Sequence, residues 1–342
     1  MALPTFSPLL WAADSSEARA RQFIAGLRST EKIPAVCATV AKVGSIVWSE
    51  ALGESDLEDG ATASTRTRYR IGSLSKLITA AAAARLYDQG LLDLDAPIQK
   101  YVPTFPASGI TVKLLLGHLA GLRHYGAGEY LNQKRYSSVA ETLAVFQNSP
   151  LLQPPGAKYF YSSYGFNLLG AALERAGSQD FGTLIQRQVC DPLRLQFTIP
   201  EDNTKVVVGR SRYYSLTNGQ VENAPYTDLS DRWPSGGFLS TTEDLARFGV
   251  AHLAGEFFRP DTLRMMFTSQ RTVEGVETGV GFGWRIGVLD NRRIYHHGGD
   301  AIGGRAFLLL RPEGSIVVAL VGNLGFARFA ERQAMELADL FV

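Results

Sequence analysis

Strand-like runs at both ends of this 342-residue chain, with helical periodicity between them, restrict its fold more than any other feature. Val36–Val43, the pair Gly44-Ser45, and Ile46-Val47-Trp48 read as one hairpin. Near the other end, Ala306–Leu310 and Ile316–Val321 flank the turn Arg311-Pro312-Glu313-Gly314-Ser315. Phe326–Phe341 follows as an amphipathic helix, with Phe329, Met335, Leu337 and Leu340 among its apolar positions. In between, the spacing predicts helices over Leu77–Tyr87, Val112–Leu119, Val139–Phe146, Phe166–Ala176 and Phe181–Val189, punctuated by Gly90, Gly121 and Gly177. This order predicts a sheet domain made from residues 18–70 and 232–342, with a mainly helical domain, 71–231, inserted into it.

Charge and hydropathy exclude several functions. Lys and Arg number 34 against 33 Asp and Glu, so the net charge is +1. A general nucleic-acid binder needs a surplus of positive charge to neutralise phosphates, and none is visible. No apolar run approaches the ~20 residues that a bilayer helix requires. Residues 1–17 form a separate N-terminal segment. Leu9, Leu10 and Trp11 before Ala12-Ala13-Asp14 resemble the tail of an export signal, yet a basic start and a full apolar core are missing. Exported and cytoplasmic locations both stay open. Cys37 and Cys190 are too few for a disulfide framework and have no metal-ligand cluster beside them, so both are expected to be buried thiols.

Ser73-Leu74-Ser75-Lys76 is the first candidate for chemistry. A serine hydroxyl becomes a useful nucleophile only when a base takes its proton. Residues three apart share a helix face, so Lys76 can reach Ser73. Buried near other cations, its amine can lose its proton and act as that base. The following Leu77–Ala84 is apolar on all sides and is expected to be a buried post. The same spacing occurs in Ser29-Thr30-Glu31-Lys32, where a polar stretch before Pro34 reads as a solvated helix end.

Two further segments qualify. Tyr161-Ser162-Ser163 lies between Pro154-Pro155-Gly156 and Phe166-Asn167, and a phenol held among cations can shuttle a proton. Tyr130-Leu131-Asn132, Tyr136-Ser137-Ser138 and Tyr213-Tyr214-Ser215 have a similar form without those surroundings. His296-His297-Gly298-Gly299 reads as a strand ending in glycines, where a substrate can approach the backbone closely. Neighbours on a strand face opposite ways, so the two imidazoles are not expected to chelate one metal. Gly298–Gly304 lacks the spacing, the lysine and the following helix of a nucleotide loop.

Together and in this order, these segments resemble the penicillin-recognising serine hydrolases: class C β-lactamases, family VIII esterases and DD-peptidases. Within that family, the similarity is greatest to the mitochondrial serine β-lactamase-like branch and its bacterial relatives. It extends from about Pro34 to Asn323 and includes Val47-Trp48-Ser49-Glu50, Leu92-Asp93-Leu94-Asp95, His118–Tyr125 and Gly236–Thr241. The resemblance implies an α/β (α+β) fold of the serine β-lactamase/transpeptidase type, with a central antiparallel sheet flanked by helices. It implies that Ser73 is acylated, that Lys76 is its proton partner and that Tyr161 is the family's Y-x-N tyrosine. Ser163 stands where that motif usually has Asn, which removes a contact to a substrate amide. His296, with Gly298, would replace the K-T-G segment, His297 being the alternative register. The backbone N–H groups of Ser73 and Gly299 would form the oxyanion hole. No metal or organic cofactor is implied. Expected substrates are small amides, peptides or esters; a true β-lactamase, a slowly acylated penicillin sensor and a self-associating filament scaffold are the alternatives.

Overall fold

The computed structural model describes residues 15–342; the reading of residues 1–17 as a separate segment with an export-signal remnant falls outside them up to residue 14, while Ser16 and Glu17 belong to the first helix, Ser16–Thr30. A seven-stranded sheet, antiparallel throughout, is assembled from both ends of the described chain. From the N-terminal side come β1 (Ala35–Lys42), β2 (Ser45–Asp56) and β3 (Ala61–Thr62). From the C-terminal side come β4 (Arg285–Leu289), β5 (Arg292–Ala301), β6 (Gly304–Arg311) and β7 (Ile316–Gly322). Their order is β3-β2-β1-β7-β6-β5-β4, so the two ends meet where Val36 pairs with Gly322 and Val40 with Val318. The expected fold class, a central antiparallel sheet flanked by helices, is the one found.

Both faces of the sheet are covered, which explains why β1 reads as an unbroken apolar run rather than an alternating one. Val36, Ala38 and Val40 join Phe307, Leu309, Val318 and Leu320 under the terminal helices α1 (Ser16–Thr30) and α5 (Glu331–Asp339). Cys37, Ala41, Leu308, Leu310, Val317 and Ala319 face the other core, with α2 (Ser75–Asp88), α3 (Ser163–Gly177) and α4 (Thr242–Ala254) on that side. Thr39 and Thr242, 2.7 Å apart through their hydroxyls, tie α4 to β1. Both cysteines are free and buried.

Some boundaries differ from expectation for local reasons. β2 continues past Trp48 to Asp56 because Ala51, Leu52 and Gly53 keep pairing with β1. The helix expected from Val112 stops at Leu116, and His118 takes a left-handed φ of +57°. α3 begins at Ser163, three residues early, because the Ser162 hydroxyl accepts the Gly165 N–H and caps it. The terminal helix starts only at Glu331; Phe326, expected inside it, also has positive φ, at +60°.

The five histidines give the fold a pH signature. Burial is the largest cause holding His118, His124, His252, His296 and His297 below the ordinary histidine range. His252, pressed among Phe248, Phe258 and Trp284, falls to about 4. The unfolded chain takes up these protons near pH 6.5 and the folded chain does not. Stability is therefore full above pH 6.5 and is lost as the pH falls towards 4. Glu174, raised by burial to about 7, acts in the opposite direction over part of that range. His252 alone accounts for about 3 kcal/mol across this interval. The urea midpoint should fall between pH 6.5 and 5, and His252→Leu should make the fall shallower. An unchanged slope in that variant would refute the assignment.

Candidate active site

The residues Gly72–Leu74 form one 3-10 turn that runs into α2. Every residue from Ser75 to Ala84 is buried, so the turn stands on a fixed support, as the all-round apolar pattern predicts. The hydroxyl of Ser75 donates to the Gly72 carbonyl (2.7 Å) and accepts the Phe238 N–H (3.2 Å). Ser73 Oγ then lies 3.2 Å from Lys76 Nζ and 2.8 Å from the Tyr161 hydroxyl, which donates to it. Lys76 is completely buried and, among the described residues, pairs with no carboxylate; its Nζ also donates to Ser163 Oγ (3.0 Å) and to the Ser235 carbonyl (2.6 Å). Burial, with Arg232 and Arg285 adding to it, pushes its pKa well below the usual lysine range. An amine so placed can exist unprotonated beside the serine that needs a base.

Tyr161 is positioned by its neighbours in sequence. The N–H groups of Ser162 and Ser163 donate to Nδ1 of His118 and of His124, each at 3.2 Å. Both imidazoles must keep that nitrogen unprotonated, and burial holds His124 near 4. The Tyr161 ring lies 4.5 Å from that of His118 and 4.8 Å from Lys76 Nζ. Burial raises its pKa, with the bond to Ser73 and the charge of Arg285 opposing. Tyr161 therefore rests as a neutral phenol, a proton donor.

The opposite wall is β5. Its neighbour β4 pairs with it only as far as His296–Arg285, which leaves residues 297–301 with one unpaired edge facing the cleft. Two carbonyls point to that edge: Gly298 O accepts from His297 Nδ1 (2.6 Å) and Asp300 O from the Tyr130 hydroxyl (3.3 Å). In an antiparallel strand the N–H and C=O of one residue point the same way, and alternate residues point oppositely. The cleft-facing N–H is therefore that of Asp300, whereas the Gly299 N–H turns towards Ala306 on β6. The Gly299 N–H, expected to be an oxyanion donor, therefore points away from the cleft. Gly299 has a different purpose, since a Cβ there would overlap the Ile71 carbonyl. A Cβ on Gly72, at φ +50°, would lie 2.7 Å from the Asp300 backbone nitrogen, so glycines on both sides let strand and turn touch.

The same alternation separates the two histidines. His296 stacks on Phe307 (5.6 Å), although it too borders the cleft. His297 is the one whose ring lies beside that of Tyr161, at 6.2 Å. A carbonyl can only accept, so His297 carries its proton on Nδ1 and presents a bare Nε2. Burial first, with the nearby Arg285 adding to it, pushes its pKa well below the ordinary histidine range. Arg285 was not anticipated from the sequence. It is exposed on the cleft wall, forms no ion pair among the described residues, and its guanidinium lies 5.9 Å from the Tyr161 ring. No motif surrounds it, and one arginine among many carries no signal of its own. The cleft between these walls measures about 690 Å³. No group of His, Cys, Asp and Glu among the described residues could hold a metal.

A family model described as Beta-lactamase matches residues 20–340. The chain belongs to the Beta-lactamase family. Family membership places it, at that coarse level, among serine hydrolases. Within the Beta-lactamase family, human "Serine beta-lactamase-like protein LACTB, mitochondrial" is 29% identical over 82% of this chain and 69% of its own length. "Esterase EstB" of Burkholderia gladioli is 29% identical over 85% of each chain. The octameric penicillin-binding protein homologue from Pyrococcus abyssi shares the fold, with a TM-score of 0.82 at 24% identity, covering 94% of this chain and 76% of that one. No helix among the described residues is long and apolar enough to cross a membrane.

Proposed function

We propose that the protein hydrolyses small esters or amides through an acyl-enzyme on Ser73. The observation that carries this reading is the pair of contacts to Ser73 Oγ: a buried amine at 3.2 Å with a depressed pKa, and a neutral phenol at 2.8 Å. Unprotonated Lys76 takes the Ser73 proton as Oγ attacks the substrate carbonyl, forming a C–O bond and a tetrahedral oxyanion. The N–H groups of Ser73 and Asp300 stabilise that charge. The intermediate collapses, the bond to the leaving group breaks, and the Tyr161 hydroxyl supplies the departing group's proton, regained from Lys76. Water, deprotonated by the same pair, then releases the acid and restores Ser73.

Arg285 is our candidate for binding a substrate carboxylate. A guanidinium stays charged throughout the working range, unlike an imidazole. We read Arg285 as this anchor in place of the pH-dependent one expected of His296. Esters need less help from the leaving-group acid than amides, and the relative named as an esterase supports placing them first. Self-association remains part of this reading because the Pyrococcus homologue is described as octameric.

Intact mass, followed over time after mixing with a penicillin or a p-nitrophenyl ester, tests the reading. A rapid adduct that maps to Ser73, with or without fast turnover, is expected. Fast ring opening with a transient adduct identifies a β-lactamase; a lasting adduct identifies slow deacylation. Hydrolysis without any Ser73 acylation, under rapid quench, would overturn the mechanism.

A further inference from the structure

Phe326 is a bulky aromatic residue at φ +60°, and 59% of its surface is exposed. Large side chains rarely adopt left-handed backbone, and such strain persists only where the surroundings enforce it. The surroundings here do. The Gly325 N–H donates to the Tyr214 carbonyl (2.9 Å), and the Phe329 carbonyl accepts from Arg305 Nε (3.1 Å), so the segment between β7 and α5 is held on both sides. A residue so exposed gains little from burial, and glycine would serve the backbone better. The ring needs another reason.

That reason lies across the cleft. Phe326 borders the same cavity as Ser73, and its ring centroid is 6.1 Å from that of Tyr130, which comes from the opposite wall. Tyr130 is itself fixed: its hydroxyl reaches the Asp300 carbonyl, its own carbonyl accepts from Arg232 (3.2 Å), and the Arg232 guanidinium lies 5.3 Å from its ring. Tyr125, Leu229 and Ile302 continue the lining at this end. The nearby Asp300 carboxylate is neutralised by Arg305 at 2.7 Å. The cleft is therefore aromatic beside the Asp300 N–H, where Arg232 is paired with Asp231 and Arg305 with Asp300, and, among the described residues, carries an unpaired cation where Arg285 stands.

We infer that Phe326 and Tyr130 form an aromatic clamp that selects substrates whose acyl group is apolar and of aromatic size. The inference rests on the reading of Ser73 as the nucleophile and specifies its substrate class. In this reading, a carbonyl whose oxygen sits at the Ser73 and Asp300 N–H groups places its acyl substituent towards this end. A phenyl group there meets two fixed rings, whereas a methyl group meets neither.

The test compares p-nitrophenyl phenylacetate with p-nitrophenyl acetate, which share a leaving group, in the wild type, Phe326→Ala, Phe326→Gly and Phe326→Tyr. The ratio of their kcat/KM values should fall about three- to tenfold in the Ala and Gly variants, the range of one aromatic pair, and recover in Phe326→Tyr. The Gly variant should melt about 2 °C above the Ala variant, since both lack the ring and only glycine relieves the φ strain. Equilibrium binding of phenylacetate against acetate is measured in parallel and should show the same loss of preference. A ratio unchanged in both Ala and Gly variants would overturn the clamp. If Ser73→Ala retained full ester turnover, the hydrolase mechanism would fail instead, and the phenylacetate preference would still decide the role of Phe326.

Discussion

Ser73→Ala should lower kcat/KM for every substrate by at least about 10⁴-fold, the scale on which serine hydrolases lose activity when the nucleophile goes. The reason is the division of labour around Oγ. Lys76 and Tyr161 both address this one atom, and without it neither has a reacting partner. The fold should survive. Lys76 Nζ keeps its bonds to Ser163 and Ser235, and the turn is held by Ser75 and by the apolar face of α2. Melting temperature and circular dichroism should therefore stay near wild type while turnover, followed with a p-nitrophenyl ester, disappears. Turnover at the wild-type rate would remove Ser73 from the mechanism. Loss of both turnover and folded signal would instead mean that the hydroxyl is structural.

Much of this site could be read from the sequence because its parts are local. Ser73 and Lys76 are three residues apart, and a spacing of three is a physical distance on any helical turn. The post beneath them announced itself by being apolar on every side. The strand-rich ends likewise pointed to a shared sheet, since β1 and β7 each needed partners. What escaped depends on register. Whether His296 or His297 faces the cleft, and whether Gly299 or Asp300 presents its N–H, follows from which way β5 is turned. That is set by its pairing with β4 and β6, far away in sequence. Arg285 enters the cleft for the same reason: it occupies the last position at which β4 still pairs with β5. Phe326 reads as helical because its apolar neighbours recur at helical spacing, and nothing in that pattern reports a positive φ.

Tyr161→Phe should cost at least about a hundredfold in kcat/KM, the low end of general acid–base contributions, and should cost amides more than esters. The substitution removes one oxygen and leaves the ring against His118 and Lys76, so packing is preserved. Esters expel an alkoxide or phenoxide that leaves with little protonation. An amide nitrogen must be protonated as its bond breaks, and the phenol at 2.8 Å from Oγ is the donor positioned for it. Burial holds that phenol in its protonated form at rest, so in the proposed mechanism it enters as the acid while the buried amine of Lys76 enters as the base. Rates for a matched anilide and p-nitrophenyl ester in wild type and variant separate these roles. A larger loss on the anilide supports the assignment; equal losses on both would place Tyr161 in the attack step, with Lys76 returning the proton directly.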